Sequence, residues 1–210
     1  MRQIDPSERW LIVGTTGSGK STAAKWLLLH YPQPIVIIDS KRSGFPSVPP
    51  DSVESAIGKI KRKFRKQPKI IRITPDKAEA DDLEAVYDTC LDKGDMVIVE
   101  DEALLIPISE GRKFAFVTGR SEGVGIISCT QRPFGVIREA ISESERKWEF
   151  LLHDRKDKQR IAEFSGIPTD LELERYQSAY YDSTEGRMHI FDPLDNKDYD
   201  NMIAAKFIGQ

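Results

Sequence analysis

Cysteine is scarce in this chain: Cys90 and Cys129 are the only two among 210 residues. They do not stand in a metal-ligand spacing, so neither a disulfide framework nor a zinc site is expected, and a reducing compartment suits the chain. Histidine is equally thin. His30, His153 and His189 are isolated from one another, which argues against a histidine-built metal centre. No run of eighteen apolar residues occurs, so no membrane span is expected, and Met1 to Pro6 lack the apolar core of a secretory leader. Nor does either charge dominate. A net charge of −3 creates no general attraction for polyanions, so any nucleic-acid contact has to come from a local basic surface or from one built by several copies.

What the chain does have is Gly14-Thr15-Thr16-Gly17-Ser18-Gly19-Lys20-Ser21-Thr22. The apolar run Trp10 to Val13 precedes it, and a breaker-poor stretch from Ala23 to Leu29 follows. Strand, glycine-rich loop and helix in this order make a P-loop. Its glycines let several backbone N–H groups converge on one anion, and the helix N-terminus adds positive potential. All nine residues are candidate nucleotide contacts: Lys20 for the β- and γ-phosphates, the Ser21 hydroxyl for Mg²⁺.

Five further apolar runs, four of them rich in β-branched residues, follow at Ile35–Ile38, Ile70–Ile73, Met96–Val99, Val124–Ile127 and Trp148–Leu152, most of them separated by helical patterns. This alternation predicts an α/β fold, with a mostly parallel central sheet flanked by helices. Near-continuous apolarity in the runs predicts strands buried on both faces. Helices are expected from Asp51, which could cap, through Phe64; from about Asp76 to Lys93, ending at Gly94; from Lys156 to Ser165; and from Asn201 to Ile208. Met188–Phe191 reads as a short edge strand. The length suits one domain over residues 1–210, with a core at about 8–155 and a helical and edge-strand extension at about 156–210.

Hydrolysis needs carboxylates beside the phosphates. The run Met96–Val99 leads into Glu100-Asp101-Glu102, a buried strand with an acidic tip. Asp101 could hold Mg²⁺, which keeps most of its water and takes few carboxylates, and Glu102 could activate water as general base. Glu100 competes with Asp101 for the metal. Gln131, at the end of the run into Thr130, could hydrogen-bond γ-phosphate and lytic water together. Arg120 lies at the other end of that strand, a strand's length from its own nucleotide, where it could serve a neighbour's site as an arginine finger. Arg132 and Arg138 are rival fingers. Asp39 and Lys41 form either a charged pair at the nucleotide edge or a structural ion pair. The basic stretch Lys59 to Lys66 reads as a solvated helix face, with DNA phosphates as the alternative. Trp10, Trp26 and Trp148 are expected in the core.

Taken together, Gly14 to Ser21, Asp101-Glu102-Ala103, Gly119-Arg120 and Thr130-Gln131-Arg132-Pro133 resemble the FtsK–HerA superfamily of DNA-pumping P-loop ATPases, and Ile37-Ile38-Asp39-Ser40-Lys41 resembles its Asp-x-Lys strand end. The resemblance covers roughly the first 155 residues and implies a RecA-like core with ATP and Mg²⁺ as cofactors. Glu100 departs from it, since an apolar residue is usual there, and the tail from Pro168 matches nothing in it. A chain this short, without an anchor, long coiled region or DNA-reading domain, is most similar within the superfamily to the genome-packaging ATPases of tailless, membrane-containing icosahedral viruses. That implies a homo-oligomeric, hexameric ring threading duplex DNA into a preformed capsid, with capsid or portal-vertex proteins as partners, in the virion or the host cytoplasm. A plasmid or chromosome DNA pump of the same superfamily, a nucleotide-gated morphogenesis protein without translocation, and a small-molecule P-loop kinase are the alternatives.

Overall fold

The computed structural model describes residues 4–42, 44–62, 69–75, 82–195 and 197–208. Its elements follow in chain order as β1 (Arg9–Val13), α1 (Lys20–Leu28), β2 (Ile35–Asp39), β3 (Pro50–Asp51), α2 (Val53–Lys61), β4 (Ile70–Ile73), α3 (Leu83–Lys93), β5 (Met96–Asp101), α4 (Glu110–Thr118), β6 (Val124–Thr130), α5 (Arg138–Ser142), β7 (Arg146–Glu149), α6 (Arg155–Ala162), β8 (Ser178–Asp182), β9 (Arg187–Phe191) and α7 (Tyr199–Phe207).

The described strands form one sheet in the order β3-β4-β2-β5-β6-β1-β7-β8-β9. Pairing is parallel from β3 to β7 and antiparallel at β7–β8 and β8–β9. Every residue of β1, β2, β5 and β6 is buried, as continuous apolar runs require when helices cover both faces. Side chains nonetheless alternate between the two faces. On β5, Val97 and Val99 pack in the layer under α1 and α7, while Met96 and Ile98 pack in the layer under α2, α3 and α4. A smaller cluster joins Leu11 and Val13 to Ile141 of α5 and Ile161 of α6.

Two features matter for the site. The antiparallel strands β8 and β9 extend the sheet beyond β7, and α7 lies against α1, held by Lys25–Asp200 at 2.6 Å and by Lys206 Nζ donating to the carbonyls of Leu29 and Tyr31. All parallel strands end at one edge, where β1, β5 and β6 deliver the chemically interesting loops.

Several boundaries differ from the sequence expectation. Ser52, not Asp51, caps α2: its hydroxyl accepts from Ser55 N, while Asp51 pairs in β3 and its carboxylate binds Lys59. The strand expected at Trp148–Leu152 is Arg146–Glu149, two residues earlier, because Arg146 and Lys147 are buried by partners that composition does not reveal: Glu8 and Asp182 for Arg146, the Ser144 carbonyl for Lys147. β8 carries too much polarity to be singled out. Phe64 and the expected first turns of α3 at 76–81 lie outside the described residues. Trp10 and Trp148 are core residues; Trp26 is partly buried, with its ring 4.4 Å from that of His30.

Candidate active site

β1 ends at Val13, and the chain turns through the glycine-rich loop into α1. Gly14 and Gly19 have φ of +152° and +114°. A Cβ at Gly14 would stand 2.7 Å from both Phe150 Cβ and Ser18 Oγ, so only glycine lets the loop lie this close to the segment after β7. The loop is tied to both neighbouring strand ends: Gly14 N donates to Thr130 O at 3.3 Å and Thr15 N to Leu151 O at 2.8 Å. No side chain caps α1, so its first-turn N–H groups stay open to an anion. Lys20 is buried and its ammonium donates to Thr15 O at 2.8 Å. Burial lowers its pKa, against the raising influence of Glu102 and Asp101.

β6 lies between β1 and β5. That order brings Gln131 between the loop and the acidic tip. Thr16 Oγ1 donates to Gln131 Oε1 at 2.7 Å, and Gln131 N donates to Glu102 Oε1 at 3.1 Å. Thr130 Oγ1 donates to the same carboxylate oxygen at 2.8 Å. The other oxygen of Glu102 meets Lys41 Nζ at 2.6 Å. Burial alone would raise the Glu102 pKa; the bonds from Lys41, Gln131 and Thr130 outweigh it and hold the carboxyl below its usual value, ionised at neutral pH. Glu102 also sits at φ +67°, a left-handed conformation that aims its side chain off the strand tip.

Asp101 pairs in register with Asp39 across β5 and β2. Asp39 accepts from Arg72 Nε at 2.9 Å and from Gly44 N at 3.1 Å, while its Oδ1 is buried without a hydrogen-bond partner among the described residues. Burial, and then the neighbouring Asp39 charge, push Asp101 up to about 6. A side chain at Gly44 would collide with the Asp101 carboxylate. A hydroxyl at Ser21 and this desolvated carboxylate pair are hard oxygen donors that fit Mg²⁺. Among the described residues no group of three His, Cys, Asp or Glu could cage a metal alone. A hexahydrated-type ion held by few carboxylates and by phosphate oxygens needs none.

The sequence-level candidates thus fall into two places. Gly14 to Thr22, Asp101, Glu102 and Gln131 meet at the C-terminal edge of the parallel strands. Arg120 does not join them: it lies in the turn before β6, at the opposite edge, half exposed and 3.2 Å from Glu145 Oε1. Arg132 is on the nucleotide edge but is bound to Asp157 at 2.8 Å and Asp154 at 3.4 Å, and Arg138, the first residue of α5, lies over the Phe164 ring.

Glu100 is corrected. It is not a rival metal ligand: alternation on β5 sends it to the face opposite Asp101, where it is fully buried. Arg112 Nε and Nη2 bind it at 2.8 and 2.9 Å, and it also accepts from Tyr87 Oη at 2.6 Å and Ser128 Oγ at 2.8 Å. Asp39 and Lys41 both reach the nucleotide edge but pair with Arg72 and Glu102, not with each other. In the basic stretch, Lys59 pairs with Asp51, Lys61 and Arg62 are exposed, and residues 63–66 lie outside the described residues. Phe150 was not legible as a site residue, and Thr130 was legible only as part of the Thr130-Gln131-Arg132-Pro133 motif: its bond to Glu102 depends on the sheet order.

No protein-family model matches the chain. It is 30% identical over 226 aligned positions to the DNA packaging ATPase P9 of Enterobacteria phage PRD1, covering 99% of this chain and 95% of that protein. Among solved structures, the genome packaging NTPase B204 of Sulfolobus turreted icosahedral virus 2, in complex with ATP-gammaS, superposes with a TM-score of 0.71 at 19% identity, over 91% of this chain and all of that one. The N-terminal domain of zonular occludens toxin from Neisseria meningitidis superposes at 0.53, with 16% identity over 92% of this chain and 97% of that one. The structural matches support the P-loop α/β fold. The glycine-rich loop, the acidic tip and the glutamine between them, together with a relationship that runs nearly the full length of both sequences, place this chain in the FtsK–HerA-type family of viral DNA-packaging ATPases.

Proposed function

We propose that the chain is a Mg²⁺-dependent ATPase that assembles into a ring, a hexamer, and couples hydrolysis to the movement of duplex DNA into a preformed viral capsid, docking on capsid or portal-vertex proteins. The observation that carries this reading is the hydrogen-bonded line from Thr16 through Gln131 to Glu102, which joins a phosphate loop to a base aimed at the same space. Gly14 to Thr22 cradle the phosphates, with Lys20 on the β- and γ-oxygens. Ser21 and Asp101 hold Mg²⁺, which would neutralise phosphate charge. Glu102 takes a proton from water as the water oxygen bonds to the γ-phosphorus and the bond to ADP breaks; Gln131 orients that water. For this Lys41, whose side chain is one-third exposed, must release the second Glu102 oxygen, and the arriving phosphates offer it a competing anion.

Arg120 serves the neighbouring copy. Its turn lies a strand's length from its own loop, so it reaches a γ-phosphate only across a subunit boundary. With no helix among the described residues long and apolar enough to cross a membrane, the reading places the protein in the virion or the host cytoplasm. The decisive experiment mixes two inactive variants. Arg120→Ala should lose about 10³-fold or more in kcat. Adding Glu102→Gln copies should restore part of the rate, because an intact Glu102 in one copy then faces an intact Arg120 in the next. No recovery in assembled mixtures would remove Arg120 from that role.

A further inference from the structure

The sheet has two rims. At one, β3 is two residues long and begins with Pro50. At the other, β9 is a full strand that pairs with β8 alone, and all five of its residues are exposed. Arg187-Met188-His189-Ile190-Phe191 contains neither the proline nor the lysine that commonly blunts a rim. The outer side of β9 therefore carries backbone N–H and C=O groups without partners among the described residues. Its side chains alternate between the faces. Arg187, His189 and Phe191 share the face of Tyr180, whose ring lies 6.5 Å from that of His189 and 6.0 Å from that of Phe191; Met188 and Ile190 share the other face.

We propose that β9 pairs with β9 of a second copy, antiparallel about a twofold axis through His189, so that the two nine-stranded sheets join into one. The sequence of the strand fits this occupant. A twofold axis normal to the sheet keeps each face on its own side, so the pairing has to centre on a residue, and centring on His189 is the register that uses all five. Arg187 then lies opposite Phe191, Met188 opposite Ile190, and His189 opposite its own equivalent. A cation over an aromatic ring, an apolar pair and a pair of flat rings all favour cross-strand contact, and no formal charge faces its like. The ends match as well. Arg187 is largely exposed and comes no closer than 3.7 Å to Glu185, and exposed Asp192, one residue past the strand, has no partner among the described residues. The antiparallel register brings each Arg187 beside the Asp192 of the other copy. This contact is separate from the one that carries Arg120 to a neighbouring site. β9 stands four strands from β6, roughly 19 Å away at ~4.8 Å per strand. A head-to-tail contact closes a ring, whereas a twofold contact doubles whatever assembly carries it. A five-residue seam buries less than the ~1,200 Å² of a stable dimer, so single copies pair weakly and the contact strengthens when several rims meet at once.

Trapping by a disulfide tests both the partner and the register. Cys90 and Cys129 are buried, so a cysteine placed on β9 is the one exposed thiol. His189→Cys in the full chain, oxidised with diamide in the absence of nucleotide and DNA, should give a disulfide-linked dimer, because residues opposite each other in an antiparallel pair have Cα atoms about 4.5–5.5 Å apart, within disulfide reach. Arg187→Cys alone should give about tenfold less or none, since the two equivalent positions stand four residues apart, about 14 Å. Adding Ile190→Asp, at an exposed position, to His189→Cys should cut the trapped dimer about tenfold with the melting temperature unchanged, by setting a carboxylate against Met188. No dimer from His189→Cys, equal trapping at 187 and 189, or a dimer indifferent to Ile190→Asp would each overturn the pairing. If Ile190→Asp lowers the melting temperature, the comparison of 189 with 187 decides alone. A head-to-tail ring does not bring equivalent residues together, so the dimer trapped at 189 is separable from ring assembly.

Discussion

Glu100 and Glu102 stand two residues apart and belong to different regions of the molecule. Glu100 lies under the sheet, fully enclosed by Arg112, Tyr87 and Ser128 with no path to ligand. Glu102 lies at the nucleotide edge, where Thr130 and the Gln131 amide hold one oxygen and a one-third-exposed lysine holds the other. A third glutamate completes the series. Glu149, on the far side of the loop, is buried with only the charge of Lys158 to offset the desolvation, and its pKa rises accordingly. The same side chain is therefore a buried strut, an edge carboxylate held ionised or a carboxyl pushed toward its neutral form, according to the donors each region supplies. Four donors enclose the first; the second takes one of its bonds from Lys41, whose side chain is one-third exposed.

The sharpest way to break this comparison is to neutralise the two strand residues separately. Glu102→Gln should cut kcat by about 10²–10⁴-fold with ATP binding retained, because binding and water activation are separate tasks. Measured by single-turnover hydrolysis and calorimetry, a variant that still turns over at the wild-type rate would move the base to another residue. On the other side, Arg112→Met leaves the Glu100 charge buried and uncompensated. It should cost about 3–5 kcal/mol of stability in urea unfolding, while the folded fraction keeps its kcat. A loss of rate without a loss of stability would mean that the strut reaches the site after all.

The smallest expected effect tests the third glutamate. The folded-state pKa of Glu149, about 7, lies above its ordinary 4.5, so the neutral form is favoured on folding. Its contribution to stability is full below about pH 4.5 and is lost as pH rises through 7. Glu149→Gln should remove that slope and exceed the wild type above pH 8, by up to about 3 kcal/mol. Melting curves at pH 5 and pH 8 read the difference; equal pH slopes in the two proteins would show that Glu149 ionises freely in the folded state.

The chemistry at the nucleotide edge was legible because it is written in short range. A glycine-rich loop between a strand and a helix needs only consecutive residues, and so does an acidic tip on a buried strand. The seven expected strands are present, since apolar runs of this length between helical patterns have few other solutions. β8 escaped because its SAYYD sequence lacks that signature, and it is held by pairing with β7 and β9. The misjudged Glu100 has a similar cause. A charged residue beside two others reads as part of their cluster, and only its partner on α4, twelve residues later, shows which face it serves.

By itself, then, the sequence determined the phosphate loop, the acidic tip, the glutamine after the neighbouring strand and the α/β class, because each depends on local geometry and on the period of burial. Only the tertiary structure decided that β6 runs between β1 and β5, which joins Gln131 to both Thr16 and Glu102. It also decided that Lys41 binds Glu102, that Arg120 ends up at the opposite edge and that the tail at Leu171 to Leu173 walls a cavity with the segment after β7. The physical reason is the same in each case: strand order and side-chain facing are set by which distant surfaces bury each other, and no stretch of neighbouring residues contains that information.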